Sequence, residues 1–111
     1  MHNYKELKVW QKARELVKFI YNLTYRFPKS ETYGLILQMR RAVISVSSNI
    51  AEGSGHSSNK EFIRFLEISY SSSCELDTQL ILSHDINYIN EIELKESCEK
   101  ICEIQKLLIC R

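Results

Sequence analysis

The chain has 111 residues, of which 44% are hydrophobic and 26% are charged, and its formal net charge is +1. This size and balance are typical of one globular domain, which we predict over residues 1–111. One proline and three glycines are too few for the turns of a sheet-rich fold. No apolar run approaches the roughly 20 residues that cross a membrane, and the first residues lack the apolar stretch of a signal peptide. We therefore expect a cytoplasmic protein with no membrane partner.

Two amphipathic segments occupy the first half of the chain. Segment one extends from about Lys5 to Arg26, and Phe27-Pro28 ends it because proline disfavours helical geometry in the residue before it. Segment two extends from about Thr32 to Glu52, where Gly53-Ser54-Gly55 turns the chain. Apolar residues recur every three or four positions in both segments, which predicts two core-facing helices.

Segments three and four have clear helix-start signals. Ser58 followed by Glu61 is a capping box, and the helix that it begins ends near His84. Asn90 caps segment four, whose first turn is acidic, as the helix dipole favours, and which runs to the C-terminus. Because short loops join the four helices, we predict an all-α, up-down-up-down antiparallel four-helix bundle.

Segment two has a second stripe of small and apolar residues beside its core stripe. An ordinary surface helix has one such stripe, whereas a helix that packs on two sides has two. The segment is therefore either the central helix of a compact bundle or the contact through which copies of the protein assemble. The second stripe consists of Ile36, Ile44, Ser47, Ser48 and Ala51.

The four cysteines are expected to be reduced, buried thiols. Cys98 and Cys102 share one helix face and could bind zinc with His84 or His56, but no standard zinc-ligand spacing is present. Apolar neighbours in the same segment favour burial of these thiols as small hydrophobic groups. We extend this expectation to Cys74 and Cys110 and predict no metal site.

No residue pattern in the sequence predicts a catalytic site. The cluster Ser71-Ser72-Ser73 has neither a histidine partner nor a glycine-rich turn beside it. We interpret these serines as small side chains that let a neighbouring helix approach and that bond back to main-chain carbonyls. We therefore predict no catalytic residue and no cofactor.

Charge is distributed unevenly along the chain. Residues 1–64 carry 11 Lys and Arg against 5 Asp and Glu, whereas residues 65–111 carry 4 against 9. A basic half can bind nucleic-acid phosphates, can face the acidic half of a neighbouring copy, or can simply be solvated. Tyr21 and Tyr25, near Lys18, could stack on bases. The candidate nucleic-acid-binding residues are Lys8, Lys12, Arg14, Lys18, Arg40, Arg41, Lys60 and Arg64.

Two polar residues near the end of segment two are predicted to form a structural polar network. Asn49 lies beside the core stripe, and a buried carboxylate at Glu52 would need a cation. Arg40, Arg41 or Arg64 could supply it. The alternative is a polar ligand-binding site at one end of the bundle.

Motifs spread over nearly the whole chain match one bacterial family. They are Leu7–Ala13, Phe27-Pro28, Tyr33-Gly34-Leu35, Arg40-Arg41-Ala42, Asn49–Gly53, Glu61-Phe62 and Glu75-Leu76. With these motifs the chain resembles the small four-helix-bundle proteins named after open reading frames in intervening sequences of 23S ribosomal RNA genes.

The resemblance implies a bundle that assembles into a ring, commonly a homopentamer. Most members of that family have no established activity, whereas a related branch, the accessory proteins of diversity-generating retroelements, binds a reverse transcriptase and its RNA. That branch is strongly basic, whereas this chain is near neutral. The resemblance therefore implies a non-catalytic homo-oligomeric scaffold, and its RNA-binding branch adds RNA, weakly bound, or a nucleic-acid-processing protein as a further partner. The alternative is a protein-interaction module with no nucleic-acid role.

Overall fold

The computed structural model describes residues 3–110, so Met1, His2 and Arg111 of the predicted domain lie outside the described residues. Within these residues four α-helices follow one another, and 3-10 turns at Tyr4–Glu6 and Lys29–Glu31 precede the first two. The helices are α1 (Lys8–Tyr25), α2 (Leu35–Ser54), α3 (Asn59–Asp85) and α4 (Glu91–Ile109). Residues 3–110 contain no strand, which confirms the predicted all-α class.

Helix ends with a local capping signal lie where the sequence predicts them. The Ser58 hydroxyl accepts a hydrogen bond from the Glu61 amide at 3.2 Å and begins α3. Asn90 and Glu93 bond reciprocally, side chain to main chain, at 2.8 and 2.9 Å, which completes a capping box at the start of α4.

The ends of the first two helices differ from the prediction. Asn3 caps the 3-10 turn before Leu7, and Leu7 is extended, so α1 begins at Lys8 rather than near residue 5. Helix α2 begins only after Gly34, and it continues through Gly53 to Ser54 instead of ending at residue 52.

The four helices close around one interior. Helices α2 and α4 each pack against both α1 and α3, which confirms the predicted four-helix bundle. The largest fully buried side chains come from all four helices, as a shared core requires. They include Leu16, Ile20, Met39, Val43, Val46, Ile50, Leu76, Leu80, Ile101, Ile104 and Leu108. Among residues 3–110, no helix combines the length and the apolar character needed to cross a membrane.

Small residues bring α2 and α3 into the most extensive helix pairing of the described chain. A Cβ atom built on Gly53 would lie 2.7 Å from the Cβ atom of Phe65, so no larger residue fits there without movement. The buried Ser69 hydroxyl donates a 2.8 Å hydrogen bond across the contact to the Val46 carbonyl. Glycine and serine therefore fix the position of α2 against α3.

Candidate functional site

A shallow groove of about 670 Å³ runs along the outward side of α2, beside α1. Its walls hold large apolar side chains that the core leaves in solvent: Tyr33 is 88% exposed and Ile44 is 41% exposed. A contiguous patch of exposed apolar side chains marks an interaction site more often than single scattered apolar residues do. The lining residues are Tyr21, Thr32, Tyr33, Ile36, Leu37, Arg40, Arg41 and Ile44.

Two arginines in the groove differ in how firmly they are held. The Arg40 guanidinium lies 4.3 Å from the centre of the Tyr21 ring. It also donates hydrogen bonds to the Thr24 hydroxyl at 3.0 Å and to the Tyr21 carbonyl at 3.3 Å. Arg41, by contrast, is exposed and has no ion pair among residues 3–110. The groove thus offers one fixed cation and one that is available to a partner.

The eight cations predicted to bind nucleic acid are not gathered into one site. Lys12 lies 3.3 Å from Glu103 of α4, and Lys8 precedes it by one helical turn, so these two lie toward α4. Lys60 and Arg64 lie in the first two turns of α3, where Arg64 pairs with Glu61 at 3.3 Å. The remaining four, Arg14, Lys18, Arg40 and Arg41, are contributed by α1 and α2.

Glu52 does not join a polar network within the described chain, which corrects the prediction that it pairs with an arginine. It lies on the outward side of α2, because the helix places Gly53 rather than Glu52 against α3, and its carboxylate is exposed. Asn49 does form such a network: its amide donates to the Ser45 carbonyl at 2.8 Å and to the Ser45 hydroxyl at 2.9 Å. The Ser45 hydroxyl lies 2.8 Å from that of Ser72, so this network joins α2 to α3.

The expectation of buried cysteines is wrong. Cys74, Cys102 and Cys110 are exposed, and Cys98, which lies against Asp77 of α3, is half-buried. Burial raises the pKa of the Cys98 thiol, and the nearby Asp77 carboxylate, at 3.6 Å from the sulfur, raises it further. Within residues 3–110 no group of three or more His, Cys, Asp or Glu is arranged to hold a metal ion.

Comparison with known proteins shows to which family the chain belongs. The model of the family described as "23S rRNA-intervening sequence protein" matches residues 5–110. The chain belongs to this family. A solved structure from the S23 ribosomal protein family of Bacteroides thetaiotaomicron VPI-5482, described as a protein with unknown function, is 26% identical, with a TM-score of 0.83. The match covers 91% of this chain and 94% of that one, whereas no curated protein matches.

Membership of the 23S rRNA-intervening sequence protein family confirms the resemblance seen in the sequence motifs.

Two residues that line the groove, Tyr33 and Leu37, do not belong to the second stripe predicted for α2. The period of the sequence identifies Ile36 and Ile44 as a stripe apart from the core stripe; in the structure Ile36 is half-buried against the core, whereas Ile44 is exposed. The period could not show that Leu37 and Tyr33 remain in contact with solvent, because that depends on how far α1 covers α2.

Proposed function

We propose that this protein is a non-catalytic scaffold that assembles with copies of itself through the outward side of α2. The observation that supports the proposal is the groove, in which Tyr33, Leu37 and Ile44 lie beside the available cation of Arg41. Burying such side chains against a partner gains about 25 cal/mol for each Å² of apolar surface removed from water. A ring, with five subunits as the family resemblance implies, is the assembly that we propose.

The distribution of charge favours a second copy as the occupant of this surface. Helices α1 and α2 carry six Lys and Arg against two Asp and Glu, whereas α3 and α4 carry five against ten. Because α1 and α2 are packed neighbours, as are α3 and α4, each subunit has a basic side and an acidic side. Complementary sides on one molecule favour head-to-tail association between copies.

Weak nucleic-acid binding is a second candidate function. It is favoured by Arg14, Lys18 and Arg41, three exposed cations of α1 and α2, of which Arg41 lines the groove together with Tyr21 and Tyr33. The apolar lining of the groove and the carboxylate partners of Lys12 and Arg64 favour the scaffold instead.

Light scattering coupled to size-exclusion chromatography tests the proposed assembly. At micromolar concentration we expect a defined mass that is a multiple of 13.1 kDa. Ile44→Glu should lower that mass, because it places a charge in the groove. Ile92→Glu is the matched control, since Ile92 is 77% exposed on α4, away from the groove. A wild-type protein of 13.1 kDa at this concentration would refute the scaffold.

A further inference from the structure

A row of exposed residues follows the outward side of α3. Its members recur at alternating spacings of three and four, so they lie along one line on the helix surface. The row contains two apolar side chains, Ile68 at 36% exposed and Leu82 at 48% exposed. We call it the α3 row: Ile68, Ser71, Glu75, Thr78 and Leu82, all exposed.

Helix α2 carries a comparable row on its own outward side, and three of its members also line the groove. Its members also recur at spacings of three and four, and all except the half-buried Leu37 are exposed. The row is cationic near the start of α2 and acidic near its end. We call it the α2 row: Leu37, Arg41, Ile44, Ser48 and Glu52.

Contacts between α2 and α3 within one subunit show which residues of the two rows lie at the same height along the bundle axis. The Ser45 hydroxyl lies 2.8 Å from that of Ser72, and Ser69 bonds to the Val46 carbonyl. These contacts place Ile44 at about the height of Ser71, and Arg41 at about the height of Glu75. Subunits related by a cyclic axis parallel to the bundle keep these heights from one copy to the next.

At equal heights the two rows are complementary in size and charge. The large Ile44 faces the small Ser71, while the small Ser48 faces the region of Ile68. In that arrangement the Arg41 cation would face the Glu75 carboxylate; both side chains are exposed and without an ion pair among residues 3–110. Opposite charges facing each other across a contact fix its register more than they add affinity.

We infer that the α2 row of one subunit docks on the α3 row of the next, so that the assembly is built from one repeated heterologous contact. This inference rests on the proposed self-assembly and identifies the surface that receives the α2 side. Because the two rows point outward from adjacent corners of one bundle, each subunit can bind two neighbours at once. Such a contact forms a ring if its rotation closes.

Two variants that each block one row provide the test. Ile44→Glu blocks the α2 row and Leu82→Glu blocks the α3 row, and because both introduce a carboxylate the new groups cannot attract each other. Each variant alone should be a monomer of 13.1 kDa, since a heterologous contact needs both rows. Mixed in equal amounts, they should form a heterodimer of about twice that mass, through the two rows left intact. Ile92→Glu should assemble like the wild type, and circular dichroism should show all variants equally helical.

Other outcomes separate this inference from the proposed scaffold. If Leu82→Glu assembles like the wild type while Ile44→Glu is monomeric, the α2 row pairs with itself or with another surface, and the inference is overturned although the scaffold stands. If the mixture stays monomeric, the two rows do not recognise each other, and the inference fails in the same way. A monomeric wild-type protein overturns both.

Discussion

The hydroxyl of Tyr88, in the turn between α3 and α4, donates a 2.8 Å hydrogen bond to the Glu31 carboxylate beside the start of α2. The other carboxylate oxygen of Glu31 accepts from the Leu35 amide at 3.3 Å, in the first turn of α2. The rings of Phe27 and Tyr88 pack with their centres 5.2 Å apart. Glu31 therefore joins both inter-helix connections at this end of the bundle.

The Tyr88 contact predicts a loss of stability at high pH. The hydrogen bond to Glu31, then burial and then the Glu31 charge raise the pKa of Tyr88 above its ordinary value of 10.0. The folded state thus holds this proton more tightly than the unfolded chain, so its stabilising effect is complete below pH 10 and is lost as the pH rises through the folded pKa. Tyr88→Phe should lower the melting temperature at pH 7 and flatten its decline above pH 10. Tyr25→Phe, at a tyrosine that is 86% exposed, should change neither, and an unaltered alkaline decline in Tyr88→Phe would contradict the assignment.

Gly53→Ala should destabilise the bundle, because the added methyl group would lie 2.7 Å from the Cβ atom of Phe65. Overpacking of this kind costs typically about 1–3 kcal/mol. Gly55→Ala is the control, since Gly55 is exposed and its nearest neighbour would be the Glu52 carbonyl at 3.3 Å. Urea unfolding measures both, and equal stabilities of the two variants would show that the α2–α3 contact does not require a glycine.

Exposed Glu52 and half-buried Asn49 should differ in their effect on folding. Glu52→Ala should change the free energy of unfolding by no more than about 0.5 kcal/mol, as is usual for surface substitutions. Asn49→Ala removes both hydrogen bonds to Ser45 and should cost about 1 kcal/mol or more. Both changes are best made in the Ile44→Glu background, so that assembly does not contribute. A large loss in Glu52→Ala would restore the buried-network hypothesis.

The cysteines should react with iodoacetamide in a set order. At pH 8, exposed Cys74 and Cys102 should be alkylated before Cys98, because burial and Asp77 raise the pKa of Cys98 and only the thiolate reacts. Asp77→Asn should accelerate labelling of Cys98 and leave Cys102 unchanged. Peptide mass spectrometry over time gives the rates, and labelling of Cys98 at the rate of Cys102 would exclude this effect.

Nucleic-acid binding, if present, should be weak, non-specific and sensitive to salt. A mobility shift with RNA or DNA should fade between about 50 and 200 mM salt, as expected for several phosphate contacts. Changing Lys8, Lys12, Arg14 and Lys18 together to Glu should abolish the shift, because it replaces four cations with carboxylates that repel phosphates. If the wild type gives no shift at about 50 mM salt, the nucleic-acid hypothesis is excluded.

The sequence predicts the elements with local signals and misses what depends on packing. Ser58 and Asn90 mark their helix starts because capping is settled within four residues. Whether Cys102 or Glu52 is buried depends on how each helix is rotated against its neighbours, and the apolar period leaves that undecided at the edges of a stripe. For the same reason the period identifies Ile36 and Ile44 as a second stripe, whereas it does not predict the groove that they line.

Gly53, which is buried between α2 and α3, bears on the geometry of the ring that we propose. In a ring built from α2-to-α3 contacts, the number of subunits depends on the angle between the outward directions of these two helices in each subunit. That angle depends on how closely the helices cross, and at Gly53 they approach to a distance that excludes even a methyl group. In the ring that we propose, the absence of one side chain would therefore influence the curvature of the assembly, and with it how many copies complete the circle.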